Sequence, residues 1–291
     1  MEIYHIPVLP NETIKLLNIK EGSVVVDCTV GEGGHSALIL RIIGNSGFLI
    51  GIDKDTDALK KANERLSSIS KNFVLVHGNF ANIKEILAEK NIKEVDAALA
   101  DLGLSSLQLQ FGERGFSFMN EGPLDMRMDK SKGITAYAIV NGFDESNLSD
   151  IFYFYGEERR ARAIASAIVR YRKTKKIETT TELANIVGKI YGGKRGRINP
   201  ATKVFQALRI AVNGELEDLK KFLSDIPDVL ITSGRVGVIS YHSLEDRLVK
   251  NAFRSDPRLK RINKKVIRPE ADEIERNRRS RSAKLRVAEK I

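Results

Sequence analysis

Along its first hundred residues the chain alternates short apolar runs with amphipathic stretches. Val24-Val25-Val26, residues 48–53, 73–77 and 95–101 are near-continuous apolar runs, the pattern of parallel strands covered on both faces. Residues 36–43, 56–66 and 83–90 carry helical periodicity, and Asn11 is placed to cap a short helix over 12–17. This alternation predicts an α/β, doubly wound sheet. The rhythm stops after Gln108. Residues 112–129 form a long Gly-rich stretch with no period, a length that in compact domains is usually functional. Helices are predicted over 148–155 and 157–173, then from Thr179, which makes a capping box with Glu182, to about Tyr191. Asn199-Pro200 starts another helix, carrying Val204, Leu208, Ala211 and Val212 on one stripe. A buried strand returns at 235–241 and leads into a helix reaching Arg254, while 264–268 and 283–287 predict an antiparallel C-terminal edge hairpin. The expected organisation is one α/β domain, 1–114 with 216–291, interrupted by a helical insertion over 115–215.

Candidate chemistry collects where the strands end. Gly31-Glu32-Gly33-Gly34-His35 turns from the first strand straight into a helix, and glycines there let a ligand lie against bare amides. The dinucleotide fingerprint G-x-G-x-x-G is not met, because Ser36 stands where its third glycine belongs. Asp53 ends the second strand, suited either to ribose hydroxyls or to capping the helix over 56–66. Phe80, just past the third, is either a wall for an adenine ring or a plain core aromatic. Asp101 ends the fourth. Gly31, Gly33, Gly34, Asp53, Phe80 and Asp101 thus converge on the sheet edge where α/β folds bind ligands.

Composition narrows the partners. The formal charge is +10, and residues 254–291 hold 14 Lys/Arg against 6 Asp/Glu, a local +8 that leaves about +2 for the rest. So concentrated a basic end favours a polyanion, nucleic acid first, over a merely solvated tail. Arg159, Arg160, Arg162, Arg170, Arg172 and Lys173 add a basic helix to the insertion, able to track phosphates or simply face water. The single cysteine, Cys28, excludes an intramolecular disulfide and suggests a cytoplasmic setting. No apolar run approaches a membrane span of ~18 residues, and the N-terminus lacks a signal-peptide pattern. His5, His35, His77 and His242 lack metal-ligand spacing, so no metal is expected. Abundant Lys, Glu and Ile with three Gln hint at a thermophilic source.

Asp27 followed by Gly31-x-Gly33-Gly34 resembles motif I of S-adenosylmethionine (SAM) methyltransferases. Further stretches extend the likeness: residues 5–9, 27–35, Asp101-Leu102-Gly103-Leu104-Ser105-Ser106 with Gln108, 112–129, 205–210 with Asn213 and Glu215, 240–247 and 279–286. Together they resemble the bacterial small-subunit ribosomal RNA cytosine-N4 methyltransferases, the RsmH/MraW family, over nearly the whole chain. The resemblance implies a class I, Rossmann-like SAM-dependent methyltransferase sheet with an inserted helical domain for substrate recognition. It implies SAM contacts at Gly33, Gly34, His35, Asp53, Phe80, Asp101 and Gln108. The implied partner is 16S ribosomal RNA in the small ribosomal subunit, methylated on the exocyclic amine of a decoding-centre (P-site) cytidine; the protein itself is expected as a monomer or homodimer.

An exocyclic amine is a poor nucleophile, because its lone pair is delocalised into the ring. Hydrogen-bond acceptors and positioning would activate it, in a pocket that takes the base out of its stack. Many DNA amino methyltransferases carry an Asp/Asn/Ser-Pro-Pro-aromatic motif after the fourth strand; Asp101-Leu102-Gly103-Leu104 lacks its prolines and aromatic. Asp101 therefore serves the cofactor, the amine or both, and Tyr241 and His242, with Ser240 and Asp246, are the next candidates on the substrate side. Three other classes compete: a NAD-dependent oxidoreductase, a SAM enzyme acting on another RNA, a protein or a small molecule, and a non-catalytic RNA-binding protein. The missing third glycine weighs against the first, the basic end against a protein or small-molecule substrate, and the strand-end carboxylates against the last; another RNA stays open.

Overall fold

The three valines of the first apolar run open β1 (Val24–Asp27), a strand deep in a seven-stranded sheet. The others are β2 (Phe48–Asp53), β3 (Phe73–His77), β4 (Val95–Asp101), β5 (Leu230–Ser240), β6 (Leu259–Arg261) and β7 (Lys284–Lys290). Their order is β3-β2-β1-β4-β5-β7-β6, parallel except that β7 runs antiparallel to both β5 and β6. This computed structural model describes residues 6–105, 108, 112–192 and 199–291. The chain divides into two compact units, Met1–Ser105 with Leu216–Ile291, and Ser106–Glu215. The first division thus falls after Ser105 rather than after Arg114.

Alternation along the strands explains why both sheet faces are covered. Val25, Leu49 and Leu99 pack on one face beneath α1 (Pro10–Leu17) and α2 (Gly34–Ile43), through Leu17, Ile39, Leu40 and Ile43. Val26, Ile50 and Ala98 pack on the other, beneath α4 (Ile83–Glu89), which follows α3 (Thr56–Ser67) in the chain. The same face also receives a helix over Glu215–Val229 and one over Ser243–Ser255, through Phe222, Ile226, Val249 and Phe253. The result is a three-layer, Rossmann-like architecture, the kind of sheet the resemblance implied.

The second unit is helical: α5 (Ala136–Gly142), α6 (Glu145–Phe154), α7 (Ala161–Arg172), α8 (Thr180–Ile190) and α9 (Ala201–Asn213). Leu148, Phe152, Ile164, Ile168, Leu183, Val187, Val204 and Leu208 are among its buried side chains. The capping box at Thr179 and Glu182 forms as predicted. The aperiodic stretch before α5 is tied down by polar contacts. Asn213 accepts from the Met128 N–H and donates to the Met126 carbonyl, both at 2.8 Å, and buried Arg114 donates to the carbonyls of Arg127 and Met128. In chain order α10 (Glu215–Val229), α11 (Ser243–Ser255) and α12 (Ala271–Arg276) complete the helices described. Among the described residues no helix is long and apolar enough to cross a membrane.

Three local expectations are corrected. α1 starts at Pro10, not Glu12: proline lacks an N–H and suits a first turn, so Leu9, left-handed at φ 51°, takes the cap position from Asn11. The helix expected over 157–173 starts only at Ala161, because Glu157 has φ 46° and the Glu158 carboxylate accepts from the Arg160 N–H at 2.8 Å. Arg159 and Arg160 therefore stand in a turn. The strand opposite β7 is Leu259–Arg261, and of residues 264–268 only Ile267 bridges to Leu285. The side chain of Asn263 fills the gap, donating to the Leu285 carbonyl at 2.9 Å and accepting from the Val287 N–H at 2.7 Å.

Candidate cofactor and catalytic site

The tip of β1 is organised by a buried carboxylate. Asp27 accepts from the Ser36 hydroxyl at 2.6 Å and from the Thr29 N–H at 3.2 Å, which ties the turn to the first turn of α2. Burial raises this carboxyl above its ordinary value, despite those bonds. Gly33 precedes α2 at φ 77°, and a Cβ there would stand 3.5 Å from the Ala62 backbone of α3. That separation is ordinary contact, so it is the left-handed backbone that selects glycine. Gly34 is the first helical residue and His35 the second.

Asp53, at the tip of β2, closes the turn from the other side. One oxygen accepts from the Gly31 N–H at 2.7 Å and the other from the Asp55 N–H at 2.9 Å. Burial pushes its carboxyl up to about 6. The cap of α3 is Asp55, whose side chain accepts from the Asp57 N–H. Asp53 is therefore free of the capping role that the sequence left open. Phe80 follows β3 in a short 3-10 turn, half-buried, with its ring edge-on to Phe222 at 5.4 Å between centroids and the Lys54 ammonium 6.0 Å away. Lys54 itself pairs with Asp218. Gln108 belongs to the second unit, where it is buried.

The tips of β4 and β5 meet because these strands pair in parallel, with Asp101 opposite Ile239. Tyr241, two residues on, reaches back so that its hydroxyl donates to Asp101 Oδ1 at 2.7 Å. Asp101 Oδ2 faces His35 Nε2 at 3.7 Å, and the Asp101 N–H donates to the Thr29 hydroxyl at 2.7 Å. Burial and the Asp101 charge push the Tyr241 phenol well above its ordinary value, so it stays a donor. A Cβ on Gly103 would lie 2.9 Å from the Tyr241 ring, so the bare backbone there seats that ring. His35 is buried, yet neither ring nitrogen has a hydrogen-bond partner among the described residues. Two orphaned nitrogens beside a glycine turn, a helix N-terminus and a carboxylate suit a polar ligand.

The remaining candidates at the tip of β5 each make at least one structural contact, although His242 Nε2 is buried with no hydrogen-bond partner among the described residues. His242 caps α11, its Nδ1 accepting from the Glu245 N–H at 3.4 Å. Ser240 donates to the Lys284 carbonyl and Asp246 accepts from Arg286 at 2.7 Å, both joining this corner to β7. Glu245 escaped the sequence reading. Its carboxylate accepts from the N–H groups of Tyr241 (2.9 Å) and His242 (3.3 Å), fixing the backbone that carries the phenol. The signal for it was the spacing His242-x-x-Glu245, a capping box with histidine in the cap position.

Residues 2–291 match the model of the MraW methylase family. The chain is 49% identical over 292 residues to the ribosomal RNA small subunit methyltransferase H of Dictyoglomus thermophilum, covering 100% of this chain and 98% of that one. It is 51% identical over 294 residues to the protein of the same name from Persephonella marina, with 99% and 100% covered. The corresponding figures for Clostridium botulinum, strain Loch Maree, are 47% over 310 residues and 100% of both chains. The turn after β1, the orphaned histidine and the strand-tip carboxylates are thus features of a chain that belongs to the MraW methylase family of SAM-dependent methyltransferases.

Proposed function

We propose that this protein methylates the exocyclic N4 amine of a decoding-centre (P-site) cytidine in 16S ribosomal RNA, in the cytoplasm. Membership in the family and the relatives' name, ribosomal RNA small subunit methyltransferase H, support an rRNA substrate. The observation that carries the chemistry is the Tyr241–Asp101 hydrogen bond beside the glycine turn. SAM, when bound, supplies an electrophilic methyl group on a sulfonium. Gly33, Gly34 and His35 would hold it at the N-terminus of α2, Asp53 would accept from its ribose hydroxyls, and Phe80 would wall its adenine. Asp101 holds an N–H of the target amine, which localises the nitrogen lone pair, and Tyr241 locks the carboxylate in one rotamer for that task. The helical second unit serves substrate recognition. The test is transfer of labelled methyl from SAM to naked 16S rRNA and to small subunits, followed by nucleoside analysis. N4-methylcytidine at one decoding-centre position is expected; label in another nucleoside, or in protein, overturns the reading.

A further inference from the structure

Most arginines whose contacts have been described pair with carboxylates: Arg127 with Asp125, Arg209 with Glu215, Arg235 with Glu289, Arg258 with Asp256, Arg286 with Asp246. Other exposed arginines, Arg41, Arg162, Arg170 and Arg254 among them, also lack such partners, but the connector from β6 to β7 gathers three of this kind within six residues. There Arg276, Arg278 and Arg281 are exposed, and none has a hydrogen bond or ion pair among the described residues. Their scaffold, by contrast, is fully engaged. Buried Asn277 accepts from the Arg279 N–H at 3.2 Å and donates to the Ile6 carbonyl at 3.2 Å. Buried Ser280 donates to the Asn277 carbonyl at 2.8 Å, and Glu273 accepts from the Leu9 N–H at 2.8 Å. The segment is a built bracket that holds unpaired guanidinium groups outward, and like charges so placed repel one another unless an anion joins them.

A groove of about 760 Å³ opens on this bracket, lined by Ala271, Ile274, Glu275, Arg278 and Arg281. It lies in the same unit as the candidate site: Glu273, on the same helix, accepts from the Leu9 N–H, and Leu9 belongs to the apolar cluster on which Tyr241 packs. We infer that this groove seats the phosphodiester backbone of the rRNA beside the target nucleotide, with Arg278 and Arg281 on phosphate oxygens. This rests on the rRNA reading above. A guanidinium fork matches phosphate geometry, and Ala271 with Ile274 give a ribose an apolar bed. Among the described lining residues Glu275 alone opposes an anion, which supplies an internal control.

The experiment uses the full chain and an rRNA fragment carrying the decoding region, with affinity measured across a potassium chloride series. For the double variant Arg278→Gln, Arg281→Gln the slope of log affinity against log salt falls by about 1.4, the value for two single-strand phosphate contacts. Its affinity for SAM and its melting temperature stay at wild-type values. Glu275→Gln moves the other way and tightens RNA binding, an outcome that damage to the fold cannot imitate. A double variant with the wild-type slope, from a chain whose wild type methylates rRNA, overturns the groove alone. Weaker binding to assembled subunits with unchanged binding to naked RNA overturns it too, since the groove then meets a ribosomal protein. A wild-type chain that transfers no methyl to rRNA overturns both this inference and the functional reading.

Discussion

Tyr241 and Asp101 lie 140 positions apart in sequence and share a hydrogen bond of 2.7 Å. The contact requires β4 and β5 to be neighbours, and it leaves the second carboxylate oxygen directed at His35. Asp101→Ala is expected to reduce methyl transfer by at least about a hundredfold, the usual scale for a positioned proton acceptor. Tyr241→Phe removes one bond to a charged group, worth about 1.5–3 kcal/mol, and should lower kcat by roughly ten- to a hundredfold at that cost. Steady-state kinetics beside calorimetry with SAM checks both. An equal loss of SAM affinity and kcat would assign the pair to the cofactor.

Gly103→Ala should act on the same pair without touching its chemistry. The added methyl would meet the Tyr241 ring at 2.9 Å and turn the phenol away from Asp101. Turnover is expected to drop toward the Tyr241→Phe level. The double variant should be little worse than either single one, the signature of residues acting as a unit.

Asp53 gives two opposite pH responses. Its carboxyl is pushed up from 3.8 to about 6 in the folded chain. Ribose hydroxyls donate to the ionised form, so SAM affinity should be flat above pH 6 and weaken by up to about tenfold per unit below it. Folding has the reverse sign. A raised carboxyl contributes stability that is complete below the unfolded value and lost as pH rises through about 6. Asp53→Asn should flatten both curves, as calorimetry and thermal melts at pH 5 and 7.5 will report.

Gly33→Ala places a side chain on left-handed backbone, at about 1–2 kcal/mol, and brings it against Ala62 and Leu66. The melting temperature should fall by roughly 2–6 °C for a unit of this size. SAM affinity should fall as well, because the first turn of α2 shifts with the strain.

Phe80 separates ligand from core. Its neighbour Phe222 is fully buried, and Phe222→Ala should cost about 3–5 kcal/mol, while Phe80 is only half-buried. Phe80→Leu keeps most of the apolar contact with Phe222. It should therefore change the melting temperature little while weakening SAM several-fold. A matched loss of stability with unchanged SAM affinity would make Phe80 a core residue only.

The strand cores were legible in the sequence because parallel strands buried on both faces need unbroken apolar runs, as at Val24–Val26 and Phe48–Ile52. Their tips followed from that pattern, so Asp53, Phe80 and Asp101 could be placed on one edge without coordinates. What escaped depends on contacts across the chain. Leu259–Arg261 is too short to carry a period, and beside the single bridge of Ile267 to Leu285 the side chain of Asn263, not further backbone, bonds the Leu285 carbonyl and the Val287 N–H. Asp55 and Asp53 are equally plausible caps by spacing; only the Gly31 N–H reserves Asp53 for the turn. His242 read as chemistry; its Nδ1 caps a helix end, while its Nε2 is buried beside Glu245 with no hydrogen-bond partner among the described residues. The Tyr241–Asp101 bond depends on the register of β4 with β5, which no local pattern encodes.

The last strand of the chain lies inside the sheet, between β5 and β6. During synthesis the edge of β5 therefore stays open until residues beyond Lys284 have left the ribosome, and the helical middle unit emerges long before its host can close. An unsealed edge of that kind invites pairing with other nascent chains. A stalled or prematurely ended translation product should consequently aggregate through β5, however stable the finished protein is.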